Sequence, residues 1–372
     1  MPGKTIPLLR VHMPRTAHEA LGPVLASGYL ADGAQVRGFE DLLRGYVGNA
    51  NLTAMSDISG AITLALFMSG VRPGDEVIVS PMSCTATTMP IANLFAHPVW
   101  CDVDPLTGML DARCIPSMIT ARTKAVLVYH WGGDVAELDA INEVAHAHGL
   151  KTIDDAADAF GGEYRGKRLG SNGTDFTAYS FQAVKHITTG EGAALFFASA
   201  EDADRAQWLK RYGIHRPSFK LPNGDLNPSS DIPVAGYNFY LDNIAATIGI
   251  EQFKHADALV ARYRENGRFY DEFLQRIPGV RLLKRDPDSA SAYWAYTLLV
   301  ERRADLIGKL KEHGIASQRL HVRNDIYSCF GGQRRDLPGV DNFDEHTLSI
   351  PCGWWVSDED RDYVVGTIEG GG

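Results

Sequence analysis

The sequence predicts an α/β protein, with a parallel sheet covered by helices on both faces and a smaller α+β unit after it. Three observations carry this. Short apolar runs alternate with helical patterns through the first two thirds of the chain. Acidic residues and one lysine stand just beyond the ends of such runs, where ligands sit in parallel sheets. The chain has 372 residues, 45% of them hydrophobic, which is enough for a large core and for two domains.

The elements follow in order. Residues 15–26 and 35–47 read as helices, joined by a loop at 28–33. Residues 52–55 form a short strand, and the helix after it has Ser56, Asp57 or Ser59 as its cap. A helix start with free N–H groups and a hydroxyl is a natural phosphate seat. A turn at 71–75 leads into a strand ending at Pro81, and a helix begins within 82–88. Strands are expected at 97–105 and 123–129, the second running into His130-Trp131. Residues 135–149 form an amphipathic helix with Gly149 as its C-cap. His146 and His148, two apart, point to different helix faces and make no metal pair.

The chemistry concentrates at two places. Residues 151–155 form a strand that ends in Asp154 and Asp155, with Asp158 just beyond. Thirty residues on, the apolar runs 176–181 and 193–197 flank a loop carrying Lys185, two threonines and a Gly-Glu-Gly turn. Burying an ammonium is costly unless it is paired or neutralised. A neutral lysine amine forms a Schiff base with an aldehyde. A carboxylate at the neighbouring strand end suits a protonated pyridine nitrogen, so the pair matches pyridoxal phosphate.

The rest of the chain is read more coarsely. Residues 212–235 form a long polar, Pro- and Gly-rich loop. A long helical pattern covers 243–276. The last third carries strands at 280–283 and 293–300, a helix at 304–313 and a return segment at 346–355. Domain boundaries are expected at 1–245 and 246–372. A net charge of −10 without a basic stripe argues against a nucleic-acid surface. Five cysteines without CxxC spacing indicate neither a zinc site nor a disulfide framework. No leader-like segment and no run long enough for a membrane span stand out, so a soluble, cytoplasmic protein without metal is expected.

Several motifs in the right order, Ser59-Gly60, Pro73-Gly-Asp-Glu-Val77, Asp155, Ser180, Lys185 and Gly236-Tyr-Asn-Phe239, resemble the DegT–StrS sugar aminotransferases. These are fold-type-I pyridoxal-phosphate enzymes, and the resemblance covers nearly the whole chain. It implies a mostly parallel seven-stranded sheet between helices, with the smaller α+β domain at the C-terminal end. It implies Lys185 and Asp155 as catalytic residues. Ser59, Gly60, Cys84, Asp155, Asp158, Ser180, Lys185 and Asn238 become the cofactor contacts. His130, Trp131, His186, His215 and His321 are candidates for the substrate side. Cys84 stands where the family commonly stacks an aromatic on the ring, and reads equally as a small buried apolar residue. His130 and Trp131 read equally as strand-end packing. Asp158 replaces a common Gln, and Tyr240 replaces a common basic residue.

The implied activity is pyridoxal 5'-phosphate-dependent amination of a keto-sugar, most readily a nucleotide-linked one, with glutamate as donor. It is expected in a homodimer where Asn238 reaches the partner's phosphate site. A related dehydratase branch carries histidine in place of the lysine, and Lys185 favours transamination. A dehydratase, a non-sugar transaminase and a non-catalytic sensor on the same fold are the rival readings.

Overall fold

The computed structural model describes residues 5–370. The N-terminal half runs α1 (Arg15–Ser27), α2 (Ala34–Val47), β1 (Leu52–Met55), α3 (Ile58–Met68), β2 (Glu76–Val79), α4 (Thr85–Asn93), β3 (His97–Trp100), β4 (Thr123–Tyr129), α5 (Leu138–Ala147) and β5 (Lys151–Asp155). After the short β6 (Glu163–Tyr164) and β7 (Lys167–Arg168) come β8 (Phe176–Ser180), β9 (Ala193–Phe197), α6 (Ala200–Leu209), α7 (Arg216–Phe219) and α8 (Asn243–Phe253). The remainder is α9 (Ala256–Leu274), β10 (Val280–Leu282), β11 (Ser289–Ala290), β12 (Tyr296–Val300), α10 (Arg303–Glu312), α11 (Pro338–His346), β13 (Thr347–Ile350) and α12 (Asp358–Glu369).

The large sheet has seven strands in the order β1-β9-β8-β5-β4-β2-β3. β9 runs against its neighbours β1 and β8, while the pairs β8–β5, β5–β4, β4–β2 and β2–β3 are parallel. β8 and β9 are buried along their whole length, and β4 and β5 are buried except at Lys124 and Lys151 near their starts, as strands covered on both faces must be. That explains why they read as continuous apolar runs rather than alternating ones. The register puts Tyr129 opposite Asp155, and Asp155 opposite Ala178, so the last residues of β4 and β5 stand side by side at the carboxyl edge. Lys185 lies in the loop between β8 and β9, and that hairpin returns it to the same edge.

The smaller unit is the antiparallel sheet β10-β12-β13 with α9, α10 and α12 packed against it. Its core includes Tyr263, Tyr270, Leu298, Leu348 and Ile350, together with Ile6, which bridges in parallel to Ile315. Two polar clamps tie it to the large sheet. Arg285, partly buried, holds Asp134 and Asp271 at 2.7 Å each and lies over the Tyr293 ring. Asn324 Nδ2 donates to the Ser83 carbonyl at 3.2 Å and to Thr88 Oγ1 at 3.1 Å, at the start of α4.

Three expectations change in detail. The long pattern over 243–276 is two helices, because the His255 N–H turns back to the Gln252 carbonyl at 2.9 Å and the His12 ring packs on its imidazole. No Pro or Gly marks that bend, so periodicity runs through it unseen. The helix over 135–149 starts only at Leu138 and ends at Ala147, with His148 as its cap. The loop at 212–235 contains α7 and a bridge between Lys220 and Leu226. As for domains, Ala256, Leu259 and Val260 still pack with the large sheet's helices, while Tyr263 and Tyr270 belong to the second core. The helix α9 therefore contributes to both cores.

Candidate active site

Asp155 is the last residue of β5 and is fully buried. Its Oδ2 accepts from Thr87 Oγ1 at 2.6 Å and its Oδ1 from the Ala157 N–H at 3.0 Å. Burial pushes this carboxyl up to about 6, with the Asp158 charge adding to the rise and its hydrogen bonds and Lys185 opposing it. A carboxylate costly to ionise is one that welcomes a cationic partner, and a protonated ring nitrogen is such a partner.

The Lys185 amine is 2.5 Å from Asp158 Oδ1 and 4.0 Å from the centre of the Trp294 ring. The Trp294 N–H donates to the Val184 carbonyl at 2.9 Å, so the indole that faces the amine is also tied to the lysine's own loop. The other Asp158 oxygen accepts from the Tyr129 hydroxyl, and that hydroxyl is 2.9 Å from His321 Nε2. Burial lowers His321 to about 4, so this imidazole is neutral at physiological pH. Cys84, half-buried at the start of α4, lies in the field of Asp155, Asp158 and Lys185, with burial raising its thiol.

A second set of groups lies at the start of α3. Asp57 caps the helix, accepting from the Gly60 N–H at 2.7 Å and from the Ser56 hydroxyl at 2.8 Å. The expected open N–H of Gly60 is therefore already taken by the capping carboxylate, which leaves the Ser59 hydroxyl and the first-turn N–H groups of Ile58 and Ser59 as that helix start's donors. Ser180 closes β8, its Oγ accepting from the Gln182 N–H at 3.2 Å. Asn238 is exposed, and its backbone bridges to Arg211. Its neighbour Phe239 packs on Gly60 and accepts at its carbonyl from the Ser56 N–H at 2.8 Å.

The histidines divide. His321 joins the lysine cluster. His186 turns inward: its Nε2 is 2.9 Å from the Ala292 carbonyl, its ring packs on Tyr263, and burial lowers it to about 4. His130 is also fully enclosed, accepting from the Ala136 N–H, with Nε2 3.9 Å from Asp154. Trp131 donates to Thr297 Oγ1 and meets Phe343 and His321 edge to face, so it packs between the domains. His215 lies on the exposed loop, its ring packed at a tilt against Trp208 and bonded to Ser218. Of the five substrate-side candidates, the structure brings His321 to Lys185 and buries His186 and His130 as packing.

Thr87, Tyr129, Trp294 and Asp57 were missed from sequence as parts of this site. Of these, Asp57 alone had a signal, as a possible cap. The others are a helix threonine, a strand-end tyrosine and a small-domain tryptophan, ordinary until the fold converges them.

The residues fit a pyridoxal phosphate: a buried carboxylate for the ring nitrogen, an amine for the aldehyde, and serine hydroxyls at a helix start and strand end for the phosphate. The family model that matches residues 13–369 is the DegT/DnrJ/EryC1/StrS aminotransferase family. The chain belongs to it. With membership come pyridoxal 5'-phosphate and sugar transamination. The spore coat polysaccharide biosynthesis protein SpsC of Bacillus subtilis is 32% identical over 355 residues, covering 92% of this chain and 91% of its own. The UDP-4-amino-4-deoxy-L-arabinose–oxoglutarate aminotransferase of Shewanella sediminis is 27% identical, with 99% and 98% covered. The crystal structure of the sugar aminotransferase CalS13 of Micromonospora echinospora superposes with a TM-score of 0.93, at 33% identity and 99% and 100% coverage. When bound, such a cofactor would supply an aldehyde and a ring that draws electrons from the substrate's α-carbon. The residues placed to hold it are an amine, Lys185, and a buried carboxylate, Asp155.

Proposed function

We propose that this aminotransferase acts on a nucleotide-linked keto-sugar with glutamate as donor, in a homodimer with shared sites in the cytoplasm. The observation that carries the catalytic part is the convergence of Asp155 and the Lys185–Asp158 pair at one sheet edge. Lys185 is the base that takes the donor's α-proton and returns one on the sugar side. Asp155, aimed by Thr87, stabilises the ring-nitrogen proton. Ser59, Ser180 and Asn238 receive the phosphate, and Cys84 lies against the ring. The relative named for a UDP-linked amino sugar and oxoglutarate supports the nucleotide link and the donor.

The shared site is supported by the exposure of Asn238. Exposed apolar side chains, Tyr29, Tyr212, Ile232 and Leu226, on the neighbouring loops point the same way. Lys185 itself argues against the dehydratase reading. The test is incubation with glutamate and a panel of nucleotide-linked and free keto-sugars, following 2-oxoglutarate release. Turnover with free sugars alone would overturn the nucleotide link, and turnover with glutamine but not glutamate would overturn the donor.

A further inference from the structure

Tyr129 has no assigned part in the reaction, yet its hydroxyl joins two groups that matter. It donates to Asp158 Oδ2, whose partner oxygen holds the Lys185 amine at 2.5 Å. It is also 2.9 Å from Nε2 of His321, on the segment that leads into β13's domain. A tyrosine has one proton to give. Since it goes to the carboxylate, His321 must carry its proton on Nε2 and donate to the phenol oxygen. The four groups then form one directed chain, His321 to Tyr129 to Asp158 to Lys185, with Tyr129 and Asp158 buried and its two ends partly exposed.

We propose that Tyr129 is a positioning residue that tempers the Asp158 carboxylate as counter-ion of the Lys185 nitrogen, and so sets how firmly that nitrogen keeps its proton. A carboxylate that accepts a hydrogen bond spreads its charge over the donor. Without the donor, more of that charge falls on the cation beside it. A carboxylate at this place also differs in kind from a neutral amide, which would solvate the lysine without holding a charge against it. Several other groups face the pair: Asp155 from β5, Cys84 from the start of α4, His186 from the lysine's own loop, Glu191 from the turn before β9, and His321. Burial holds both histidines near 4, so neither adds charge at neutral pH. Asp155 is engaged by Thr87 and the Ala157 N–H, which leaves Asp158 as the anion in direct contact with the amine.

This inference rests on Lys185 being the nitrogen that joins the cofactor, and its signature is a pair of opposite shifts. The experiment follows the visible absorption of the loaded enzyme against pH. Asp158→Asn should lower the midpoint of the spectral change by about one pH unit or more, the usual effect of removing an adjacent opposite charge. Tyr129→Phe should raise it, and should do nothing further in the Asp158→Asn background, because Tyr129 acts through Asp158. General loosening of the site would move both variants the same way. A Tyr129→Phe titration that coincides with wild type, shifts downward, or persists in the double variant overturns the proposal.

Asp158→Gln serves as a second neutral variant if Asp158→Asn folds poorly. For variants that bind cofactor weakly, the acylation rate of Lys185 is measured in the cofactor-free protein at one mildly alkaline pH. It should rise in Asp158→Asn and fall in Tyr129→Phe, and the reverse order sinks the idea. A wild type with neither a visible band nor turnover would instead refute the cofactor role of Lys185. A normal band and turnover with superimposable titrations refutes the Tyr129 proposal alone.

Discussion

Thr87 and Asp155, 68 residues apart in sequence, meet through a 2.6 Å hydrogen bond from the threonine hydroxyl to the carboxylate, and both are fully buried. The bond leaves the carboxylate one favoured orientation at the end of β5. Thr87→Val keeps the shape and removes the donor. Hydrogen bonds to charged groups contribute about 1.5–3 kcal/mol, so kcat should fall roughly tenfold or more, with the circular dichroism spectrum unchanged. Wild-type kcat in Thr87→Val would show that the Ala157 N–H alone aims the carboxylate.

Asp155 makes a pH prediction with a definite sign. Its folded carboxyl is raised to about 6 from 3.8, so the folded cofactor-free protein binds this proton more tightly than the unfolded chain. Its contribution to stability is favourable below 3.8, declines as pH rises towards 6, and is flat above that. Asp155→Asn removes this slope. Above pH 6 the cofactor-free variant should be more stable by up to about 3 kcal/mol, less the acceptor lost to Thr87 or Ala157. The same variant, loaded, should lose about tenfold to a hundredfold in turnover, because an amide does not stabilise the ring-nitrogen proton. Urea titrations of both proteins across that pH range check the first part, and near-wild-type turnover would contradict the second.

Lys185→Ala should abolish both the visible band and turnover while keeping the fold. It also strands Asp158 with Tyr129 as its remaining donor among the bonds described, so the thermal midpoint should drop measurably. Cofactor that remains trappable by borohydride in this variant would move the Schiff-base role to another lysine.

The shared site is tested by mixing. Lys185→Ala and Asn238→Asp are each expected to be inactive as homodimers. After reversible dissociation and mixing, one site per mixed dimer has Lys185 together with the partner's unaltered asparagine, and activity should partly return. Mixed dimers seen by light scattering without recovery would place Asn238 at its own subunit's α3, beside which Phe239 already packs.

Much of the large domain was legible, because strands buried on both faces leave uninterrupted apolar runs, and the acids and lysine at their ends announce the carboxyl edge. Lys185, Asp155 and Asp158 were readable for the same reason: charge beside an apolar run is conspicuous. What the pattern could not show was aim. His186 follows the lysine directly, yet its ring goes to Ala292 and Tyr263, because the loop turns between the two residues. Tyr129 looked like one more apolar strand residue, since only the register opposite Asp155 gives its hydroxyl a use. Trp294 is contributed from far along the chain, and no local signal ties it to position 185.

The Asn324 clamp on the start of α4 constrains how the molecule breathes. The side chain grips Ser83 and Thr88 at once, so residues around 324 travel with the wall of the pocket. Any swing of the three-stranded sheet must hinge elsewhere, on the segments that flank this anchor. Amides beside Asn324 should therefore exchange with solvent as slowly as those of the central strands, although they belong in sequence to the last-built part of the chain.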